Sequence, residues 1–408
     1  MRSSVLFILS LFSILVGQPS FTATSITTST NGAQSVYAVD MDGDGDMDVL
    51  SASILDDKIA WYENNGSESF TAATITSSAD EAHSVYAVDM DGDGDIDVLS
   101  ASHGDDKIAW YENNGSESFT AANINTSADG AYSVYAVDLD GDGDIDVLSA
   151  SRLDDKIAWY ENDGSESFAA ATITTSADDA RSVYAVDLDG DGDIDVLSAS
   201  HGDDKIAWYE NDGSESFTAH SITTSADGGF SVFAADIDND GDIDVLSSSG
   251  TDSKIAWYEN DGSESFTAAT ITTSASSARS VYAVDVDGDG DIDVLSASND
   301  DDKIAWYEND GSESFTAATI TTSADGAKFV YAVDMNGDDD IDVLSASYLD
   351  DTIAWYENNT APTVSSLSPA DGATGVATTA NLVITFDEEV DAESGNITLY
   401  KSDDTQIQ

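Results

Sequence analysis

The sequence predicts an all-β protein: a seven-bladed β-propeller of four-stranded antiparallel blades, followed by a truncated β-sandwich. Three observations predict it. An acidic nine-residue segment recurs seven times at a spacing of 49 residues, beginning at Asp40, Asp89, Asp138, Asp187, Asp236, Asp285 and Asp334. Each copy leads into the same Ile-Ala-Trp-Tyr-Glu-Asn run, from Trp61 to Trp355. The last unit lacks its fourth strand-like segment, and the chain carries one at its start instead. A fixed period of this length marks stacked supersecondary units.

The elements follow in chain order. Arg2 precedes an apolar run from Val5 to Val16, too short to span a bilayer and followed by small and polar residues. This reads as a signal peptide over residues 1–18, with cleavage near Gly17, and places the protein outside the cell or at its surface. Residues 19–359 form the propeller. Phe21 to Thr28 aligns with Phe70 to Ser77 one period later, so it supplies the fourth strand of the seventh blade and ties the ring shut.

Within a blade, Ser84 to Val88 alternates as a half-buried strand does, and Val98 to Ser102 is the second strand. A polar turn at Gly104-Asp105-Asp106 leads to the third strand, Ile108 to Glu112. A turn at Asn113-Asn114-Gly115 leads to the fourth, Phe119 to Ile124. No stretch has a helical period.

The acidic segment between the first two strands has carboxylates at alternate positions and a Gly at the sixth, as a short loop needs to wrap a hard cation in oxygen ligands. The flanks alternate like strands and position twelve is Ser100 in the second copy, so an EF-hand or dockerin loop, with an acid there and helices on either side, is excluded.

In this D-x-D-x-D-G-x-x-D loop and in blade length, Pro19 to about Asn359 resembles the FG-GAP/VCBS repeat family, the calcium-binding propellers related to the head of integrin α subunits. The resemblance implies up to seven calcium ions, one per blade, held at loop positions one, three, five, seven and nine. In the first two units these are Asp40, Asp42, Asp44, Asp46 and Asp48, then Asp89, Asp91, Asp93, Asp95 and Asp97. The third and fourth units have Asp138, Asp140, Asp142, Asp144 and Asp146, then Asp187, Asp189, Asp191, Asp193 and Asp195. The fifth and sixth have Asp236, Asp238, Asp240, Asp242 and Asp244, then Asp285, Asp287, Asp289, Asp291 and Asp293. The seventh has Asp334, Asn336, Asp338, Asp340 and Asp342. Asp339 stands where the others have Gly, so it must take a backbone conformation costly for an L-residue, and this site should be the weakest. The ion's expected role is structural.

The formal charge is −69, from 81 acidic and 12 basic residues, which makes nucleic acid an improbable partner. There is no Cys, so bound ions and a large core would replace disulfides. No segment is expected to span a membrane.

Comparison of the units points to a working face. In an antiparallel meander the acidic loop and third turn share one end of the blade; the second turn and inter-blade link share the other. The first end barely varies; the second does. Around the axis it should present Gln34, His83, Tyr132, Arg181, Phe230, Arg279 and Lys328, and further out Ile54, His103, Arg152, His201, Gly250, Asn299 and Tyr348. Six Lys recur at one blade position, but Arg152, Arg181, Arg279 and Lys328 all fall on the variable end. Gln34, His83, Tyr132, Arg152, Arg181, Phe230, Arg279 and Lys328 are the candidate ligand residues. Arg with aromatics is the usual composition of a recognition surface, and suits a glycan, an anionic polymer or a protein.

No catalytic constellation is visible. The four His (His83, His103, His201, His220) read as scattered over different blades, and no residues are assigned as catalytic. The expectation is a non-enzymatic adhesion or binding module, monomeric within a larger multidomain chain. A propeller-based polysaccharide-degrading enzyme and a pure spacer are the alternatives. After Asn359 the register ends. Residues 360–408 resemble the first half of a bacterial Ig-like domain, with strands expected at Leu382 to Phe386 and near Ile397 to Tyr400, and the chain is expected to be truncated.

Overall fold

The computed structural model describes residues 19–359 other than Glu68, Glu117 and Glu264, together with the strands Val364–Ser368 and Val383–Phe386. The expected signal peptide and the expected strand near Ile397 to Tyr400 lie outside the described residues.

The first described strand is β1 (Ser20–Thr27), and the first blade follows with β2 (Ala33–Val39), β3 (Asp48–Ser53), β4 (Lys58–Asn64) and β5 (Phe70–Thr76). These four pair in sequence order as one antiparallel sheet, and the pattern repeats through the next five blades. The seventh blade has Ala327–Val333, Asp342–Ser347 and Thr352–Asn359, and its fourth strand is β1. The innermost strand of each blade touches that of the next, and Ala33–Val39 touches Ala327–Val333, so the ring closes as the chain ends predicted.

Burial explains the run Asp-Val-Leu-Ser-Ala-Ser in β3 and its repeats, where every residue is buried. The strand is covered on both faces by neighbouring blades. Leu50, Ala52 and Trp61 pack with Val85, Val98 and Tyr111 of the second blade. Val49 and Tyr62 face the other way, onto Leu344 and Trp355 of the seventh. The core is thus seven inter-blade clusters in a ring. The Trp61 ring meets the edge of Phe119 in the next blade, at 6.4 Å between centroids. The buried serine is satisfied locally: Ser51 Oγ lies 3.3 Å from Tyr62 Oη.

Around the axis stands a collar absent from the sequence-based expectations. Tyr37, Tyr86, Tyr135, Tyr184, Phe233, Tyr282 and Tyr331 follow one another at 4.7–5.2 Å between centroids, and Tyr331 returns to Tyr37. They line a cavity of about 210 Å³. Burial and neighbouring phenols push the Tyr86 hydroxyl far above its usual range, which keeps it neutral. No helix among the described residues is long and apolar enough to cross a membrane.

In the C-terminal unit, Val364–Ser368 pairs antiparallel with Val383–Phe386, the latter within the strand expected at Leu382 to Phe386.

Candidate metal centres and the opposite channel mouth

The acidic loop is folded by its own carboxylates. Asp40 Oδ1 accepts the Gly43 N–H at 2.8 Å and Oδ2 the Gly45 N–H at 3.0 Å. Asp42 accepts from Asp44 N, and Asp44 from Asp46 N. The turn requires positive φ at positions four and six, where Gly43 has 75° and Gly45 has 99°. Two loops depart from this pair. Asn239 occupies position four at φ 59°, a conformation Asn tolerates, and its side-chain amide donates to Asp291 of the next blade. Asp339 occupies position six at φ 71°, whereas glycines there take 96–101°. The expected strain is therefore present, and the loop has shifted toward the left-handed helical region to accommodate it.

The five positions do not play equal parts. Carboxylate oxygens of positions one, three and five come within 4.8 Å of one another in loops one, two and five. In loops three and four the group is positions one, three and nine, as in Asp138, Asp140 and Asp146. An all-oxygen set at this spacing fits a hard divalent cation. The position-seven side chain turns away: Asp46 lies against Gly66 of the third turn, where an added Cβ would sit 2.4 Å from its carboxylate. That close approach accounts for the Gly repeated in every third turn but the seventh.

Position nine is fully buried and already occupied as an acceptor. Asp48 Oδ1 takes the Asn64 N–H at 2.7 Å and Oδ2 the Met41 N–H at 3.1 Å, so it ties the loop to the end of β4. Burial raises its carboxyl to about 6 against the lowering effect of those hydrogen bonds. Its counterpart Asp293 is raised to about 7 for the same cause. A buried carboxylate at this position favours a nearby cation.

One residue missed by sequence reasoning couples the loops. Asn113, at the end of the second blade's third strand, donates from Nδ2 to Ile96 O and also to Met41 O in the first blade's acidic loop, at 3.1 and 3.5 Å. Asn162, Asn211, Asn260 and Asn309 repeat the crossing. The Asn in every Ile-Ala-Trp-Tyr-Glu-Asn run was the available signal.

At the other end, the second turn hydrogen-bonds to the inter-blade link, as Leu55 N to Asn31 O. Gln34, His83, Tyr132, Arg181, Phe230, Arg279 and Lys328 line one cavity of about 80 Å³ at the channel mouth. The expected ring of residues therefore exists, but it is packed on itself. His83 stacks on Tyr132 at 4.3 Å, and Arg181 sits over both Tyr132 and Phe230, at 4.8 and 5.1 Å. Arg279 covers Phe230 at 3.9 Å.

Arg152 is not among the cavity residues; it and Arg181 both bind Asp179, Arg181 through two nitrogens. Burial works to raise the Asp179 carboxyl, but the Arg181 and Arg152 charges outweigh it and hold it below the usual range. Asp179 replaces a residue that is Gly in four other units, at φ 54°, and that substitution was the missed signal.

The histidines are not scattered as expected. His83 and His103 share a blade with rings 5.5 Å apart, and His201 meets Phe230 at 4.9 Å, so three of the four gather at the mouth end. Burial, with the positive charge of His103, Arg181, Arg152 and Lys328, lowers His83 to about 3 and keeps it neutral.

Residues 40–100, 89–149, 138–198, 187–247, 238–296 and 285–345 each match the FG-GAP-like repeat. Residues 358–408 match a bacterial Ig-like domain. No curated protein matches. Among solved structures, a streptogramin B lyase has a TM-score of 0.58 at 14% identity, over 84% of this chain and 99% of that one. A virginiamycin B lyase from Staphylococcus aureus has a TM-score of 0.58 at 15% identity, over 83% and 99%. BBS1N in complex with ARL6DN has 0.58 at 10%, over 88% and 98%. At such identities the likeness is one of fold.

Proposed function

Because this chain belongs to the FG-GAP-like repeat family, we propose that it is a calcium-stabilised, non-catalytic binding propeller that holds a glycan or protein ligand at the channel mouth opposite the acidic loops. The observation that carries this reading is the asymmetry between the two ends. The acidic end repeats one arrangement; at the mouth the blades differ, and there Arg181 lies over Tyr132 and Phe230 and Arg279 over Phe230. The exposed large apolar side chains among the described residues, Leu55, Leu153 and Leu349, also lie at this end, on the second turns. Exposed apolar groups beside Arg and aromatics are typical of an interaction surface.

The ions would be held by positions one, three and five, with position nine beneath them. Bound calcium neutralises carboxylates that otherwise repel at close range. Seven such ions would leave the chain near about −55, and a saline medium screens the remainder. The Arg2-to-Val16 segment supports export, so the ligand would be extracellular.

Incubation with a panel of polysaccharides tests the reading. Retention on at least one polysaccharide without new reducing ends or unsaturated products is expected, and replacing Tyr132, Arg181 and Arg279 together by Ala should abolish it. Turnover would show an enzyme instead, and neither retention nor turnover, with no protein ligand captured, would indicate a spacer.

A further inference from the structure

We propose that Arg279 and Lys328 form an anion seat at the channel mouth that receives the carboxylate or sulfate group of an acidic saccharide. The proposal rests on the reading of the mouth as the binding end, and deepens it by naming the ligand's chemistry.

Charge pairing singles out these two residues. In a chain with 81 acidic residues, basic groups have carboxylates in abundance. The six repeated lysines each pair with the Asp two residues before them, as Lys58 does with Asp56 at 2.6 Å. Arg152 and Arg181 share Asp179. Among the described residues, Arg279 and Lys328 are the Lys and Arg side chains with no ion pair. Arg279 donates from one terminal nitrogen to Ser277 Oγ, and its buried Nε has no hydrogen-bond partner. A buried donor left unmade is costly, and a guanidinium is built to grip an oxyanion with two of its N–H groups. The acid whose charge acts on both is Asp300, an exposed residue whose carboxylate accepts from Asn299.

The two cations also act on each other. Burial first, then the Arg279 charge, lowers Lys328 to about 8. An anion between them would relieve that repulsion. Lys328 otherwise rests over the Tyr348 ring at 5.0 Å, which fixes its position without neutralising it.

Shape limits what can enter. A cavity of about 80 Å³ admits several water-sized groups, at roughly 10–15 Å³ each. That suffices for a carboxylate or sulfate but not for a sugar ring as well. Beside Lys328 the seventh blade carries Phe329 where the other six have Ser, narrowing the passage below the seat. The acidic group would enter while its ring stays outside the cavity. The strongly negative whole-chain field disfavours a long polyanion, so a short or terminal acidic unit suits the seat best.

The test is titration calorimetry in calcium-containing buffer with tri-galacturonic acid, galactose 6-sulfate and neutral galactotriose, and with a tri-aspartate peptide. One of the two acidic saccharides should bind. The double variant Arg279→Gln, Lys328→Gln should lose about 30-fold or more, and Lys328→Arg should retain binding. Lys156→Gln, which removes a cation already paired with Asp154, should bind like the parent. Lys328→Gln alone, whose side chain makes no hydrogen bond, serves if the double variant melts early. Undiminished binding in the variants would overturn the seat, placing the anion elsewhere, such as at the acidic loops' calcium. Equal binding of galactotriose, lost on Tyr132→Ala, would overturn the anion seat but leave a saccharide-binding mouth. Tighter binding of the peptide would overturn the saccharide class. Binding of none of the four would overturn the seat, while retention on a polysaccharide or capture of a protein ligand would still uphold the binding reading.

Discussion

At the residue scale, one Asp per blade does two jobs. Asp97 accepts from Asn113 N and Met90 N, both buried, and its counterparts Asp146 and Asp195 lie within 4.8 Å of the position-one and position-three carboxylates of their loops. Asp97→Ala leaves two donors unmade and should cost about 2–4 kcal/mol even without calcium. Asp91→Ala, at an exposed position, should cost under about 0.5 kcal/mol without calcium and remove only the calcium-dependent gain. Urea unfolding of both variants in chelator separates the roles; equal costs would show that position nine is an ordinary ligand. At the mouth, His83 has a folded pKa near 3 against an ordinary value of 6.5. Between these values the unfolded chain binds more protons, so stability is complete above pH 6.5 and falls as the pH drops toward 3. Comparing pH 7.5 with pH 4.5, the parent should lose about 1–2 kcal/mol more than His83→Gln; parallel losses would show that His83 titrates normally.

At the element scale, the strands and turns were legible because each residue in the repeat is constrained by the same packing seven times. Alternation gave the first strand, Gly and Asn gave the turns, and the displaced Phe21 segment gave the closure. Links between blades were not legible. The Asn113 crossing to Met41, the Asp46 contact with Gly66 and the closed aromatic collar all join residues brought together only by the ring. Periodicity reports what a blade contains, not which face meets its neighbour. The packed state of the mouth was hidden for the same reason: Arg181 could be placed at the rim, but not its engagement by Asp179. The seventh loop tests local strain. Asp339→Gly lets φ move from 71° toward the 96–101° of the other loops and should add about 0.5–1 kcal/mol of stability in calcium. A loss of stability on that change would show that Asp339 contributes a contact outweighing its strain.

At the scale of the whole molecule, a ring of seven near-identical blades has two unlike ends. The acidic end is built by repetition, and its hydrogen bonds run from blade to blade, so each ion bound would stiffen two neighbours. The mouth is built by departure from repetition, and the departures carry the unpaired cations. The central claim is that the acidic loops stabilise the ring rather than serve as its binding face. Thermal unfolding in 2 mM calcium against excess chelator tests it most directly. Dissociation constants on the order of 0.1–1 mM give roughly 0.6–1.8 kcal/mol per site, or on the order of 4–12 kcal/mol over the ring. The melting temperature should fall by roughly 10 °C or more in chelator and recover when calcium is restored. An unchanged melting temperature would contradict the account.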